Sequence, residues 1–183
     1  MPQNEVRIIG GLWKGRKLRF PLRQGLRPSL GRVRETLFNW LRARVQDSDC
    51  LDLFAGSGAL GFEALSRGAK SVTFIERERM AVQALKDNAR LLDAEHCTVL
   101  QRSALNFLQS DEAASWDIIF LDPPFATRLL ENSLARLGQT CALRSGGLVY
   151  FECARRDEPN LDDWRIVKQG KAGDTRFGLL ASP

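Results

Sequence analysis

The feature that most constrains this chain is a regular alternation, from residue 48 onward, of short apolar runs with stretches of helical periodicity. Because this rhythm is typical of βαβ units, we expect an α/β fold around a mostly parallel sheet. The apolar runs predict strands over residues 50–54, 71–75, 97–101, 117–121 and 147–153. The helical patterns predict helices near residues 59–67, 79–92, 104–109 and 128–137. A closing antiparallel hairpin is expected from residues 164–168 and 177–181, with a turn at 170–173.

A chain of 183 residues, of which 44% are hydrophobic, can bury one sizeable core but not two full domains. The cysteines are widely spaced and the chain has a single histidine, so no zinc-binding pattern is present. Neither a signal peptide nor an apolar run of membrane-spanning length is evident. We therefore expect a cytoplasmic protein with free thiols, without bound metal and without a membrane partner.

The charge is distributed unevenly along the chain. Residues 1–47 contain 11 of the 27 Lys and Arg residues and 3 of the 22 Asp and Glu residues, a formal charge of +8 against −3 for the remainder. A basic segment on a mildly acidic domain favours a polyanionic partner, since phosphate contacts supply most non-specific affinity for nucleic acids. The alternative is a segment that serves only solubility.

The same N-terminal segment has its own predicted elements. Residues 6–20 are basic and interrupted by glycines, which predicts a small hairpin. Residues 31–44 predict an amphipathic helix, because Val33, Leu37 and Leu41 recur at helical spacing among arginines. We expect this apolar stripe to pack on the core rather than to bind a partner. Residues 1–47 are accordingly predicted to form an RNA-binding arm and helix, and residues 48–183 the catalytic domain.

A glycine-rich turn follows the first predicted strand of that domain. Gly56, Gly58 and Gly61 have the spacing GxGxxG, which allows a tight turn, close approach of a ligand to the backbone and packing of the next helix on the sheet. The pattern alone suits dinucleotide enzymes equally well. Glu76 ends the next strand, where a carboxylate can accept hydrogen bonds from both hydroxyls of a ribose. NAD and S-adenosylmethionine both contain this ribose, so Glu76 does not separate them.

Asp52 separates the two cofactors better. Its carboxylate precedes the glycine turn, where it would repel a pyrophosphate but could pair with the amino group of a methionine moiety. This favours the methyl donor. The alternative for Asp52 is a helix or turn cap.

A second motif follows the strand predicted at 117–121. Two prolines stiffen the loop of Asp122, Pro123, Pro124 and Phe125, so that the Asp122 carboxylate and a loop carbonyl can be held in a fixed direction. Such acceptors can bind the two N–H groups of an amino group on a heterocycle and position its nitrogen for attack on a methyl group. Phe125 can stack on the flat base. A plain turn with a buried Phe is the alternative.

With these motifs, the chain resembles the amino-group methylating branch of the Rossmann-like class I methyltransferases. Further matches lie at residues 7–11, 15–16, 27–29, 32–41 and 146–150. Over essentially the whole chain it is similar to the bacterial 16S rRNA (guanine-N2)-methyltransferase family, the small-subunit rRNA methyltransferases of D type. The resemblance implies a seven-stranded mixed sheet with a reversed last strand, helices on both faces and S-adenosylmethionine as the methyl donor. It also implies a guanine of 16S rRNA as the target, within the 30S subunit or a late assembly particle.

These observations together predict the residues of the site, and we expect the protein to be a monomer. The predicted catalytic residues are Asp122, Pro123, Pro124 and Phe125. The predicted cofactor-binding residues are Asp52, Phe54, Ala55, Gly56, Ser57, Gly58, Gly61, Glu76, Arg77, Ser103 and Ala104. The predicted RNA-binding residues are Arg7, Lys14, Arg16, Arg27, Arg32 and Arg34.

The chain departs from the family pattern at two places. After the third strand of the catalytic domain the family usually has an acidic residue that contacts the adenine amino group, whereas this chain has Ser103, whose hydroxyl can also accept a hydrogen bond. Residues 28–31 read Pro-Ser-Leu-Gly in place of the usual Pro-Thr-Thr-Asp, so a helix-capping Asp is missing.

Other functions were weighed against this one. A DNA adenine-N6 methyltransferase uses the same kind of loop, but this chain has no room for a domain that reads DNA sequence. A protein methyltransferase that modifies glutamine is a weaker form of that alternative. An RNA-binding assembly factor on the same scaffold would not need Asp122. An NAD(P) oxidoreductase is disfavoured by the loop at residues 122–125.

Overall fold

The fold is a seven-stranded sheet between two layers of helices, with an N-terminal hairpin packed on one layer. A computed structural model describes residues 3–21, 31–110, 115–125 and 127–182. The strands in these ranges are β1 (Gln3–Arg7), β2 (Lys17–Pro21), β3 (Asp49–Asp52), β4 (Ser71–Glu76), β5 (Cys97–Gln101), β6 (Trp116–Leu121), β7 (Leu143–Ala154), β8 (Arg165–Ala172) and β9 (Thr175–Ala181). The helices are α1 (Gly31–Trp40), α2 (Ala59–Ser66), α3 (Arg79–Leu92), α4 (Ala104–Leu108) and α5 (Leu129–Gly138).

The sheet is mixed, with one reversed strand. Its strand order is β5-β4-β3-β6-β7-β9-β8, and the pairs from β5 to β7 are all parallel. Strand β9 lies antiparallel to both β7 and β8. The expectation of a mostly parallel sheet whose last strand is reversed is therefore confirmed.

Side chains of the central strands alternate between two cores. Along β6, Ile118 and Phe120 contribute to the core beneath α1, α2 and α3, while Ile119 and Leu121 contribute to the core beneath α4 and α5. Successive side chains of a strand point to opposite faces, so a strand covered on both faces must be apolar throughout. Residues 118–121 form an unbroken apolar run because β6 is covered on both faces.

The N-terminal hairpin belongs to the first of these cores. Val6 and Ile8, and Leu18 and Phe20 of β2, are buried with the residues of α1 to α3. The buried Asn88 side chain of α3 fixes the edge of the hairpin, because it accepts from Arg19 N at 3.0 Å and donates to Arg19 O at 2.8 Å. The described hairpin of the basic segment is thus docked on the helices that cover the sheet.

The structure adjusts several predicted boundaries. Helix α1 ends at Trp40 and residues 41–44 form turns. Its apolar stripe packs on the core, as expected. Strand β3 ends at Asp52, because residues 53–58 already form the glycine turn. The hairpin turn is at Gly173 and Asp174, since Ala172 pairs with Thr175, so the turn predicted at residues 170–173 is displaced.

The described residues also show the state of the cysteines and allow a search for membrane-spanning helices and metal-binding clusters. All four cysteines are free, with Cys50 and Cys153 buried, Cys97 half-buried and Cys141 exposed. Burial raises the pKa of the Cys50 thiol to about 12 and that of Cys153 to about 11. Across these ranges, we find no helix with the length and apolar character needed to cross a membrane and no His, Cys, Asp and Glu cluster suited to a metal ion.

Candidate active site

The predicted cofactor and substrate motifs meet at the carboxyl edge of the sheet. Strands β3, β4 and β6 are parallel neighbours, with Asp52 paired to Phe74 on one side and to Phe120 on the other. Parallel strands end at a common edge, which in open α/β sheets is where ligands bind. The glycine turn after β3, Glu76 at the end of β4 and Asp122 after β6 therefore lie side by side.

The glycine turn requires glycine at the positions that the spacing indicated. Gly56 and Gly58 have φ angles of 48° and 75°, in the left-handed region that other residues rarely adopt. A Cβ on Gly61 would lie 2.2 Å from Cε1 of Phe74, so this glycine allows α2 to pack directly on β4. The predicted roles in the turn and in helix packing are confirmed.

Glu76 is held in one orientation beside the turn. Its Oε2 accepts a hydrogen bond from Gly56 N at 3.0 Å, and its Oε1 accepts from Glu78 N at 2.9 Å. Both bonds come from backbone groups, so the half-buried carboxylate is fixed without a flexible partner. A fixed acceptor at a strand end suits the recognition of paired hydroxyl groups.

Asp52 is a buried carboxylate in a negative environment. It is 1% exposed, and its Oδ2 accepts from Gly61 N at 3.1 Å in the first turn of α2. Burial raises the pKa of Asp52 to about 7, the Gly61 hydrogen bond lowers it in part, and the nearby Asp122 and Glu76 raise it further. Asp52 thus caps the first turn of α2, and a cationic ligand at this edge would favour its ionised carboxylate.

The remaining predicted cofactor residues follow β3, β4 and β5 along the same edge of the sheet. Phe54 is half-buried on the core beneath α4 and α5, while Ala55 and Ser57 are buried. Arg77 is exposed, with Nε 3.4 Å from Glu78 Oε1. Ser103 is the N-cap of α4, because its hydroxyl accepts from Asn106 N at 3.3 Å, and Ala104 begins that helix. Ser103 thus serves a structural role, and a contact with adenine would be additional.

The Asp-Pro-Pro-Phe loop forms one wall of a cleft. Asp122 is half-buried and Pro123 buried, while Pro124 is exposed and Phe125 is 43% exposed. Thr127 braces the loop, since its hydroxyl donates to Pro124 O at 2.8 Å. The cleft has a volume of about 410 Å³ and lies between this loop, the start of α5 and residues 152–159. An exposed aromatic ring beside a cleft of this size suits a flat base.

The lining of this cleft includes a buried acidic residue that the sequence analysis missed. Glu152 of β7 is 3% exposed, whereas the other acidic residues of the lining, Glu131, Asp157 and Glu158, are half-buried or exposed. Its Oε1 accepts from the hydroxyl of the buried Tyr150 at 2.7 Å. Leu121 pairs with Phe151, so Asp122 and Glu152 are the next residues of two neighbouring strands. Its position as the acidic residue inside the apolar run at 147–153 is the sequence signal that could have identified Glu152.

Most predicted RNA-binding residues lie on the exposed side of the N-terminal hairpin and of α1. Arg7, Lys14, Arg16 and Arg32 are all exposed. Two of them also contact backbone carbonyls, because Arg7 donates to Gly15 O at 3.3 Å and Arg16 to Leu91 O at 2.7 Å. Arg27 lies outside the described residues.

The prediction for Arg34 is wrong. This side chain is 3% exposed, donates to Arg7 O at 3.0 Å and lies 3.6 Å from the fully buried Glu63 of α2. Glu63 also accepts from Ile9 N and Gly10 N, each at 2.8 Å, and from Arg67 at 2.7 Å. Arg34 therefore joins α1, the hairpin and α2 and cannot contact RNA from the surface.

Comparisons with known proteins identify the family of this chain. The family model described as "Conserved hypothetical protein 95" matches residues 6–181. The chain is 43% identical to ribosomal RNA small subunit methyltransferase D of Haemophilus influenzae, over 97% of this chain and 94% of the relative. It is 42% identical to the protein of that name from Escherichia coli K12, over 96% and 89% of the two chains.

The chain belongs to the ribosomal RNA small subunit methyltransferase D family.

Solved structures support this conclusion. A putative methyltransferase from Escherichia coli superposes with a TM-score of 0.87 and 41% identity over 98% of both chains. A 16S rRNA N2 methyltransferase from T. thermophilus, solved in complex with AdoMet and guanosine, has the same fold at 20% identity and a TM-score of 0.71, over 99% of this chain and 50% of that one. The protein is thus an rRNA methyltransferase that uses S-adenosylmethionine.

The residues of the edge fit this donor on chemical grounds. S-adenosylmethionine, when bound, supplies an electrophilic methyl group on a sulfonium sulfur, and it carries an ammonium group. Asp52 and Glu76 offer buried and half-buried negative charge beside the glycine turn, which favours a cationic ligand and disfavours a pyrophosphate. The dinucleotide alternative therefore does not fit this edge.

Proposed function

We propose that this methyltransferase modifies the exocyclic N2 amino group of a guanine in 16S rRNA. The observation that carries the proposal is the position of Asp122 and Phe125 at the carboxyl edge of the sheet, next to the turn that follows Asp52. The reaction is expected in the cytoplasm, on a monomeric enzyme, with the small ribosomal subunit or a late assembly particle as substrate. The arm of residues 1–47 binds the RNA, and residues 48–183 carry the chemistry.

In this proposal the glycine turn, Asp52 and Glu76 hold the methyl donor. Glu76 accepts hydrogen bonds from the ribose hydroxyls, in the orientation that Gly56 N and Glu78 N impose on it. Asp52 faces the ammonium group, which favours its ionised form. The backbone of residues 54–58 surrounds the methionine part, while Arg77, Ser103 and Ala104 border the adenine. Gly61 acts only through the packing of α2.

The loop after β6 positions the amino group that accepts the methyl. The amino group of a heterocycle is a poor nucleophile, because its lone pair is delocalised into the ring. Asp122 and a loop carbonyl accept its two N–H groups and direct the nitrogen toward the methyl carbon. S-adenosylmethionine, when bound, would supply the methyl group to this nitrogen, and Asp122 would accept the proton that the nitrogen releases. Phe125 stacks on the base and holds its plane.

The RNA is held by the exposed cations Arg7, Lys14, Arg16 and Arg32. They lie on the docked hairpin and on α1, so their positions relative to the cleft are set by the fold. Phosphate contacts of this kind position a substrate without reading its sequence.

Methyl transfer from labelled S-adenosylmethionine tests the proposal. Undermethylated 30S subunits, bare 16S rRNA and duplex DNA are supplied in parallel, and the product nucleoside is identified. N2-methylguanosine in subunits is the expected result. N6-methyladenine in DNA would replace the proposal with a DNA methyltransferase, and donor binding without any transfer would favour an assembly factor.

A further inference from the structure

A buried acidic side chain near the end of β7 is the least expected feature of the substrate cleft. Glu152 is 3% exposed and interrupts the apolar run at residues 147–153. Burying a carboxylate costs several kcal/mol unless hydrogen bonds and opposite charge offset it. Glu152 bears this cost at the carboxyl end of the paired strands β6 and β7, among the residues that line the substrate cleft.

Two neighbours stabilise the carboxylate of Glu152. The Tyr150 hydroxyl donates to Oε1 at 2.7 Å, and the buried Arg34 guanidinium interacts electrostatically with Glu152 as well as with Glu63. Tyr150 is itself fully buried, so it cannot turn toward solvent. The hydrogen bond from Tyr150 therefore orients the carboxylate, and Arg34 of α1 adds positive charge nearby.

The position of Glu152 in the cleft places it near the base that Asp122 would hold. Both residues follow the paired positions Leu121 and Phe151, on adjacent strands. Glu152 lines the same cleft as Pro123 and Phe125. A base that stacks on Phe125 with its amino group at Asp122 would present the rest of its hydrogen-bonding edge to the β7 side.

Guanine and adenine differ at that edge. Next to its N2 amino group guanine carries an N1–H donor, whereas the N1 of adenine is an acceptor. An ionised carboxylate only accepts hydrogen bonds. We propose that Glu152 accepts a hydrogen bond from the guanine N1–H and is the residue that selects guanine over adenine. This inference rests on the proposed function, and it supplies a physical basis for the choice of base.

The test compares guanine with 2-aminopurine, which keeps the N2 amino group but has an unprotonated N1. Both are placed by ligation at the 16S nucleotide that the wild-type enzyme methylates, and kcat/KM is measured on reconstituted subunits. Wild-type enzyme should prefer guanine by about 10²-fold or more, because the unprotonated N1 of 2-aminopurine would face the Glu152 carboxylate as a second acceptor, with no hydrogen between them.

In Glu152→Gln the preference should fall to about tenfold or less, since an amide can donate to N1 as well as accept from N1–H. Both substrates are compared with the same preparation, so a lower folded fraction cancels from the ratio. Retention of the two subunits on a filter, which needs no turnover, should show the same change. Glu131→Gln removes a carboxylate from the exposed rim of the same cleft and should leave the preference unchanged.

The outcomes separate the two proposals. If wild-type enzyme yields no N2-methylguanosine on native subunits, the proposed function fails. If it methylates guanine but accepts 2-aminopurine equally well, or if Glu152→Gln keeps the wild-type preference, only the role of Glu152 is overturned. An equal fall in Glu152→Gln and Glu131→Gln would assign the effect to the charge of the whole cleft and would likewise overturn it.

Discussion

The two halves of the carboxyl edge are built in different ways. The proposed donor half consists of residues 52–61 and Glu76. Its two acidic side chains accept hydrogen bonds from Gly56 N and Gly61 N, which belong to the same strand–turn–helix–strand unit. The substrate half combines Asp122 and Glu152 from two strands with Arg34 from the N-terminal helix. The contacts that fix Asp52 and Glu76 therefore lie within one stretch of chain, whereas those around Asp122 and Glu152 depend on distant parts of the chain.

This difference predicts that changes in the two halves affect separate steps. Substitutions in the donor half should weaken S-adenosylmethionine binding and leave RNA binding intact. Substitutions in the substrate half should impair transfer or RNA binding and leave the donor bound.

Asp122→Ala should have the largest effect. It removes the acceptor that positions the amino group, so kcat should fall about 10³-fold or more, as positioning effects of this size allow. Calorimetry should show an unchanged Kd for S-adenosylmethionine. Near-normal turnover would remove Asp122 from the chemistry, and an equal loss of donor binding would mean that the halves are not separate. Asp174→Asn, on an exposed turn, is the control.

Replacing Arg7, Lys14, Arg16 and Arg32 together with Gln should weaken binding to the subunit about 10²-fold at low salt. The dependence of log Kd on log salt should also become shallower, by about one unit for each lost phosphate contact. The matched control replaces four other exposed cations, Arg136, Arg165, Lys168 and Lys171, with Gln. Equal effects of both sets would leave no special role for the arm.

Glu76→Ala should raise the Kd for S-adenosylmethionine about thirtyfold. The change removes acceptors for the ribose hydroxyls and also releases Gly56 N, and hydrogen bonds to a charged group contribute about 1.5–3 kcal/mol each. Retention of the subunit on a filter should not change. Donor affinity at the wild-type level would contradict the ribose role of Glu76.

Asp52 should make donor binding depend on pH. Since the pKa of Asp52 is about 7 in the free protein and a cationic ligand favours the ionised form, affinity should be about tenfold weaker at pH 6 than at pH 8. Asp52→Asn should bind more weakly and lose this dependence. Titrations from pH 6 to 8 measure both effects, and an Asn variant that keeps the wild-type pH profile would assign the dependence to another group.

The same carboxyl should influence stability with the opposite trend. Its pKa is raised from 3.8, so its contribution favours the folded state at low pH and is lost as the pH rises from about 4 through about 7. Without donor at pH 8, Asp52→Asn should therefore be more stable than wild type, by on the order of 2 kcal/mol. Denaturant unfolding at pH 5 and pH 8 measures the difference, which should be smaller at pH 5.

Prediction from sequence was most successful where the information is local. The central strands, the glycine turn and the acidic residues at the ends of β3 and β4 follow from short apolar runs and from glycine spacing, which depend on neighbouring residues alone. The Asp-Pro-Pro-Phe loop was located for the same reason. The hairpin turn was displaced from residues 170–173 because either Gly170 or Gly173 could have supplied it, and only the pairing of β8 with β9 selects Gly173.

The sequence by itself therefore determined the α/β architecture, the donor turn and the position of Asp122, because strand ends and tight turns are set by periodicity and backbone sterics. Only the tertiary structure decided that Arg34 and Glu152 are buried and which residues they contact. The sequence does not show whether an arginine in a basic helix, or an acidic residue in a strand, is exposed or buried. That is decided only when packing brings β1, α1, α2 and β7 together. Burial then makes each charge depend on a partner far away in the chain, and no local pattern records which partner that is.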